Sequence, residues 1–527
     1  MSIAYKWTVL SNTSLGAFIA SVDMTIVLIS LPDIFRGLHV NPGDPANFPY
    51  LLWTIIGYGL MTAVILVTIG RLSDMYGRVK LYKFGFLIFT LGSIACALSQ
   101  NVLELIIFRL FQGLGGAFLF ANSAAIITDA FDLKERGKAL GINQISFLTG
   151  QFVGLILGGV IAPFGWSYIF WVTVPFGIIG TVWAHINLKE QGIINKNQKI
   201  DLLGNLTFGG GLTLLLLGIT YILVPYGDSE LGYENPLVQL AFLLGIILLI
   251  LFISIERKVP NPMFKLELFR IKAFSFGNGS LFLSFIARGG LLFMLVIWLQ
   301  GIWLPLHGFT IEQTPFWAGI YMLPMTAGFL SIGPLSGYLS DKYGTRVFMV
   351  LGMAIVTVSF IWIAYMPYNV PYLDLGIAIF LQGVGAGMFA SPNISLIMSS
   401  VPAETRGAAS GMRATIQNVA NSVSMTLYFA ILILALESHF LGTALAKVPA
   451  SAALFSVFLG IAPPGVNAST FTQLFAPIFM ESLAFLLFIS AALSVVAAVF
   501  SAFSKNTEQH HPAPATAPSG RPLDHEK

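Results

Sequence analysis

The sequence predicts an all-α integral membrane protein of about 14 transmembrane helices, arranged as six, two and six, with both termini cytoplasmic. Three observations predict it: a composition too apolar for a soluble domain, a series of long apolar runs, and an internal repeat. The 527 residues are 56% hydrophobic and only 10% charged. An ordinary soluble domain carries roughly 25% charged residues. No soluble core absorbs that much apolar surface, so the chain belongs in a bilayer.

A helix needs about 20 mostly apolar residues to cross a bilayer. Such runs lie near 8–32, 50–69, 81–99, 102–127, 138–163, 166–187, 201–225, 236–255, 273–300, 315–337, 347–366, 372–398, 407–436 and 480–503. They are too long for barrel strands and do not alternate. The first run carries no cleavage signal and reads as a span rather than a removable signal peptide. Basic residues orient the bundle. Of 27 Lys and Arg, 23 fall on one side of this layout, Arg36 and Lys447 fall on the other, and Arg109 and Arg288 fall within spans. The positive-inside bias places the first side, with both termini, in the cytoplasm. The single cysteine, Cys96, excludes an internal disulfide and a Cys-based metal site. The Pro-rich tail holds His510 and His511; a solvated tail is the reading, with metal binding the alternative.

The repeat comes from short matches at nearly one spacing. "GRLSDMYGR" (Gly70 to Arg78) recurs as "GYLSDKYGTR" (Gly337 to Arg346), 267 residues on. "FQGLGG" recurs as "LQGVGA", pairing Gln112 with Gln382, and "RGKALG" recurs as "RGAASG", both at an offset of 270. Two homologous halves of six spans are the parallel-repeat layout of large transporters. The excess spacing accommodates two extra helices near 201–225 and 236–255. The expected division is therefore 1–195, 196–260, 261–505 and a disordered cytoplasmic tail, 506–527.

These residues resemble the major facilitator superfamily and, within it, the fourteen-span drug:proton antiporter branch. "GRLSDMYGRVKL" looks like the signature loop between the second and third spans, and "RLFQGLGGA" (Arg109 to Ala117) like the fourth-span signature. "DMTIVLISLP" (Asp23 to Pro32), "WLQ" (Trp298 to Gln300) and "AGIYMLP" (Ala318 to Pro324) are similar to segments of the fourteen-span branch. The fifth span keeps the glycine spacing of the antiporter signature through Gly141, Gly150, Gly154 and Gly159, but Leu155 stands where proline is expected. Ser167 and Thr173 stand where the family commonly has Arg and Asn. The resemblance implies the major facilitator fold and transport by alternating access. It also implies a conformational latch in Gly70, Asp74, Gly77 and Arg78, with Asp341, Gly344 and Arg346 as the weaker copy. The bland reading of that loop is a plain basic topology signal.

Asp23 is the candidate coupling residue. It is the only charge between Lys6 and Asp33, and Gly16, Ala20, Val27 and Ser30 share its helical face. A carboxylate in low dielectric has a raised pKa and exchanges a proton near neutrality; the alternative is a fixed ion pair joining two helices. Arg109 is its natural partner, and the second half has Ile379 at the equivalent position. Arg109 tunes a carboxylate or anchors a helix, since a guanidinium does not deprotonate here. Gln112, Asn122, Asn143, Gln144, Gln151 and Gln300 are candidate cavity-lining groups, or interhelical hydrogen bonds. Arg288, in the ninth span, has three open readings: contact with an anionic substrate, pairing with an acid, or snorkelling.

No nucleotide loop, metal-ligand cluster or nucleophile triad points to an enzyme. The expected activity is secondary active export of small amphipathic or cationic compounds in exchange for protons. The alternatives are a proton-coupled importer or facilitator of a small metabolite and, less favoured for want of a large soluble domain, a membrane receptor. The expected partners are a small-molecule substrate, protons and the lipid bilayer of the cell membrane. No cofactor, metal or nucleic acid is expected, and the chain is expected to act as a monomer.

Overall fold

The computed structural model describes residues 3–41, 44–191, 200–227, 231–260, 262–402, 405–440, 443, 445, 448–461 and 468–504. The tail, 506–527, and the Asp341 side chain lie outside the described residues. Fourteen helices are long and apolar enough to cross a membrane, and no strand occurs among the described residues. The first six spans are Tyr5–Gly37, Pro45–Tyr76, Arg78–Ala97, Val102–Ala130, Lys138–Phe164 and Tyr168–Asn187. The seventh and eighth are Leu202–Tyr221 and Pro236–Glu256. The last six are Lys272–Leu306, Thr314–Ser340, Thr345–Ala364, Tyr372–Ser399, Ala408–Phe440 and Phe471–Phe503.

Small residues set the packing of the first span on the fifth. A Cβ at Gly154 would stand 2.6 Å from the Val22 carbonyl, and one at Gly158 would stand 2.8 Å from the Ile26 carbonyl. Only glycine permits that backbone approach. The Thr25 hydroxyl donates to the Gln151 carbonyl at 2.9 Å and ties the same pair of helices. This brings the polar stripe of the first span, which includes Asp23, inward.

The two groups of six spans touch along the second and thirteenth spans, where Phe48 meets Phe429 edge-on at 5.6 Å. They touch again where the fifth span meets the tenth: a Cβ at Gly319 would lie 2.8 Å from the Leu155 carbonyl. The residue standing in place of the expected proline is thus at this seam. These contacts, with a hydrogen bond from the Gln300 amide to the Ile29 carbonyl at 3.0 Å, gather at the end opposite the turns at Gly77 and Gly344. Toward the end that carries those turns, a Cβ added at Gly70 or Gly141 would meet nothing within 4 Å, and Ile145 and Tyr338 are exposed. The contacts between the two groups thus gather at the far end, and these four positions are uncovered at the basic end.

A short helix, Ala450–Leu459, adds to the far-end contacts. It comes from the connection between the thirteenth and fourteenth spans, and all ten of its residues are buried. Phe455 packs edge-on against Phe35 of the first span at 5.3 Å, while Phe458 packs against Phe293 of the ninth at 5.5 Å. The seventh and eighth spans pack on each other through Gly211 and Gly245 and flank the second span, where Thr68 bonds Asn205.

The ninth span runs through Gly289 and Gly290 with a local irregularity in its hydrogen bonding. Lys272–Arg288 precedes these glycines and Leu291–Trp298 follows them, then a π-helical segment, Leu299–Trp303. The irregularity leaves backbone groups without helical partners, and these must be satisfied in a membrane. The thirteenth span supplies them. The Ser424 hydroxyl donates to the Ile286 carbonyl at 2.7 Å and accepts from the Gly290 amide at 3.1 Å, and the Tyr428 hydroxyl donates to the Ala287 carbonyl.

Candidate functional site

Five spans deliver a buried polar cluster to the middle of the first six helices. Asp23, Arg109 and Gln112 are each no more than 1% exposed. The Arg109 guanidinium donates through Nη1 to Asp23 Oδ2 and to Gln112 Oε1 at 2.7 Å. The Gln112 amide donates to Asp23 Oδ1 at 2.8 Å and to the Ser93 hydroxyl at 2.8 Å. Both carboxylate oxygens are therefore satisfied, which is what makes burial of this charge tolerable. Arg109 and Gln112 are three residues apart on one helix and face Asp23 together.

Further groups complete the cluster. Arg109 Nε donates to the Thr54 carbonyl at 3.3 Å, and its guanidinium lies 4.8 Å from the centroid of the Tyr58 ring. Thr173, from the start of the last helix of the sixth span, donates to Ser93 at 3.1 Å. Cys96 is buried and touches the Gln112 carbonyl oxygen at 3.8 Å. Thr54, Tyr58 and Ser93 were not apparent as site residues from the sequence, because their contacts depend on helix neighbours rather than on local spacing.

A small cavity of about 50 Å³ lies beside this cluster. Met24, Ile55, Ile56, Tyr58, Gly59 and Arg109 line it on one side, and Asn421, Ser422 and Met425 of the thirteenth span on the other. Arg109 and Tyr58 form its wall next to Asp23. The arrangement sets an ionisable carboxylate against an arginine that keeps its charge, beside a cavity whose lining is largely apolar.

The other sequence candidates are dispersed. Asn122 is fully buried and donates to the Phe118 carbonyl of its own helix at 2.8 Å. Asn143 accepts from Ser123 at 3.3 Å, linking the fifth and fourth spans. Gln144 is exposed and Gln151 is half-buried. Gln300 makes the far-end contact described above. Arg288 lies at the irregularity in the ninth span, over the Phe285 ring at 4.8 Å.

At the basic end, the Gly70–Arg78 segment, which is helical except for the turn at Gly77 rather than the loop expected from the sequence, forms a compact charge cluster. Gly77 has φ +105° and Gly344 has φ +90°, a backbone region that favours glycine. Arg78 bridges Asp74 at 2.8 Å and Asp129 at 2.7 Å. The Glu190 carboxylate accepts from the Arg78 amide at 3.1 Å and the Val79 amide at 2.9 Å, capping the positive end of the third span. Asp129 and Glu190 escape a reading of the sequence, since each is far along the chain from the segment it meets. In the second copy Arg346 is exposed.

A model of the Major Facilitator Superfamily matches residues 13–425. The riboflavin transporter RibZ of Clostridioides difficile (strain 630) is 30% identical over 418 residues, covering 79% of this chain and 85% of that protein. The multidrug resistance protein Stp of Mycobacterium tuberculosis (strain CDC 1551 / Oshkosh) is 30% identical over 422 residues, covering 80% of this chain and 74% of that protein. Among solved structures, a bacterial homologue of the human lysosomal transporter Spinster, inward-facing and unoccupied, matches with a TM-score of 0.61 at 14% identity. That match covers 96% of this chain and 98% of the other, and at such identity it is a likeness of fold.

Proposed function

We propose that this chain, which belongs to the Major Facilitator Superfamily, exports small amphipathic or cationic compounds in exchange for protons by alternating access. The observation that carries this reading is the sealed Asp23–Arg109–Gln112 cluster beside a largely apolar cavity. Protonation of Asp23 removes the partner charge of Arg109 and leaves a cation at the cavity wall. That change couples occupancy of the cavity to the proton, because a charge without a partner in low dielectric is costly.

The cluster belongs to 1–195, the flanking pair to 196–260 and the opposing cavity wall to 261–505. With the basic loops in the cytoplasm, the far end, where the contacts gather, faces outward and the uncovered end inward. Asp23 then exchanges its proton with the cell interior in this conformation, and the Arg78 cluster of the latch is on the same side. Protons and a small-molecule substrate are the partners of this cycle, and the cell membrane is its place. The resemblance to Stp, named a multidrug resistance protein, supports export of amphipathic compounds.

The resemblance to RibZ, named a riboflavin transporter, favours a second reading: uptake of a small metabolite on the same fold. The two separate in one experiment. The chain is expressed in a host lacking its own exporters and challenged with a broad compound panel. Raised resistance supports export. Unchanged resistance together with new growth on a limiting metabolite contradicts it.

A further inference from the structure

Arg288 is a membrane-embedded cation without a counter-ion. No carboxylate pairs with it and no hydrogen bond reaches it among the described residues. Its Nε is buried and bonded to nothing. Its one partner is the Phe285 ring. The mid-membrane acid, Asp23, is fully engaged by Arg109 and Gln112. Such an uncompensated charge within a span marks a functional site by default.

The exposure pattern and the Gly289 contact say where it faces. From Ser284 to Leu304 the ninth span is buried except at Phe285, Arg288, Gly289 and Leu292. Those positions form one stripe at helical spacing. None of them is fully exposed, whereas lipid-facing residues such as Leu243 and Ile250 are 57% and 59% exposed. One turn earlier the same face carries Phe282, 38% exposed, and what places the stripe beside the cavity is Gly289. A Cβ at Gly289 would lie 2.7 Å from Asn421 Oδ1, and Asn421 lines the cavity that Arg109 walls on the other side.

The stripe also coincides with the irregularity at Gly289–Gly290. Ser424 and Tyr428 satisfy the freed backbone there, so the neighbouring span holds it in place. A guanidinium offers a planar fork of donors that fits a carboxylate, sulfonate or phosphate.

We infer that Arg288, stacked on Phe285 and next to Gly289, which abuts Asn421, is the subsite for the anionic group of an amphipathic substrate. This rests on the transporter reading and, of its amphipathic or cationic compounds, keeps the amphipathic ones that carry an acidic group and sets the purely cationic ones aside. The cavity takes molecules with an apolar body, held between Met24, Ile55 and Met425, and an acidic group directed to Arg288. A purely cationic compound meets Arg288 and Arg109 and is disfavoured.

The test is binding by purified full-length protein in phosphatidylcholine nanodiscs, followed by fluorescence anisotropy. The probes are fluorescein, which carries a carboxylate, and rhodamine 6G, which is cationic. Wild type is expected to bind fluorescein the more tightly. Arg288→Gln is expected to weaken fluorescein by about tenfold or more, with rhodamine 6G unchanged or improved. Arg288→Lys, which keeps the charge, is expected to retain most of the fluorescein affinity, and its monodispersity controls for folding. Equal fluorescein affinity in wild type and Arg288→Gln overturns the subsite, as does rhodamine 6G binding the more tightly to wild type. Displacement of fluorescein by added phosphatidylglycerol also overturns it, by assigning the site to a lipid headgroup. Proton-driven transport is measured separately: its absence with fluorescein binding intact defeats the exporter reading and leaves the subsite standing.

Discussion

Arg109 stands between Asp23 and the cavity: it bonds the carboxylate on one side and forms the cavity wall on the other. The carboxylate itself is not a wall residue. In the proposed cycle, an arginine in this position senses the protonation state of Asp23 and displays it to whatever occupies the cavity. The relationship also sets an order: proton exchange at Asp23 requires Arg109 to move or water to enter.

Arg109→Lys tests whether geometry as well as charge matters. Lysine keeps a positive charge but lacks the fork that engages Asp23 and Gln112 together, and it loses its proton where arginine does not. The variant is expected to fold and to exchange substrate in counterflow at near wild-type rate. Its pH-gradient-driven accumulation is expected to fall by about tenfold. Equal accumulation in the two proteins contradicts the assignment.

The packing of the first span on the fifth predicts opposite outcomes for two glycines of one helix. At Gly154 an added methyl meets the Val22 backbone, so Gly154→Ala is expected to cost about 1–3 kcal/mol. At Gly141 nothing lies within 4 Å, so Gly141→Ala is expected to be neutral or to stabilise by about 0.4–1 kcal/mol. Thermal unfolding in detergent reads both. A melting temperature for Gly154→Ala at or above that of Gly141→Ala counts against the packing account.

The Glu190 cap predicts a local effect. Glu190→Ala frees the amides of Arg78 and Val79. Hydrogen exchange in the peptide covering 78–80 is expected to accelerate severalfold, consistent with a loss of about 0.3–1 kcal/mol at a helix N-terminus. Unchanged exchange there means that the cap does not hold this turn.

The short helix Ala450–Leu459 predicts a conformational shift. Phe455 bridges to Phe35 across the far end, so Phe455→Ala is expected to loosen that end. A cysteine at Val457, which is 3% exposed, is expected to react with an impermeant maleimide about fivefold faster in the Phe455→Ala background, as a loss of about 1 kcal/mol implies. Equal rates contradict a closing role.

Much of this was legible in the chain. The fourteen spans follow from apolar length, and Asp23 and Arg109 stand out because each is a lone charge in an apolar run. Their pairing was readable because membrane charges seek partners. The irregularity at Gly289–Gly290 was not, since glycine is common within membrane helices and the stapling groups, Ser424 and Tyr428, come from a distant span. The burial of "ASAALFSVFL" was hidden as well: ten residues are too few to read as a span, and their apolar character is resolved only by where the connection folds. Asp129 and Glu190 look like ordinary helix-end charges until tertiary packing brings them to Arg78. Asn122 shows the converse, a polar residue in a suggestive place whose amide bonds its own helix.

The central claim, that Asp23 carries the coupling proton, is tested most directly by substrate efflux in inverted vesicles under an imposed pH gradient, comparing wild type with Asp23→Asn. Asparagine fills the same space and accepts from Arg109 but does not cycle a proton. The account predicts that gradient-driven transport falls to background while gradient-independent exchange persists. Undiminished gradient-driven transport in Asp23→Asn would contradict it.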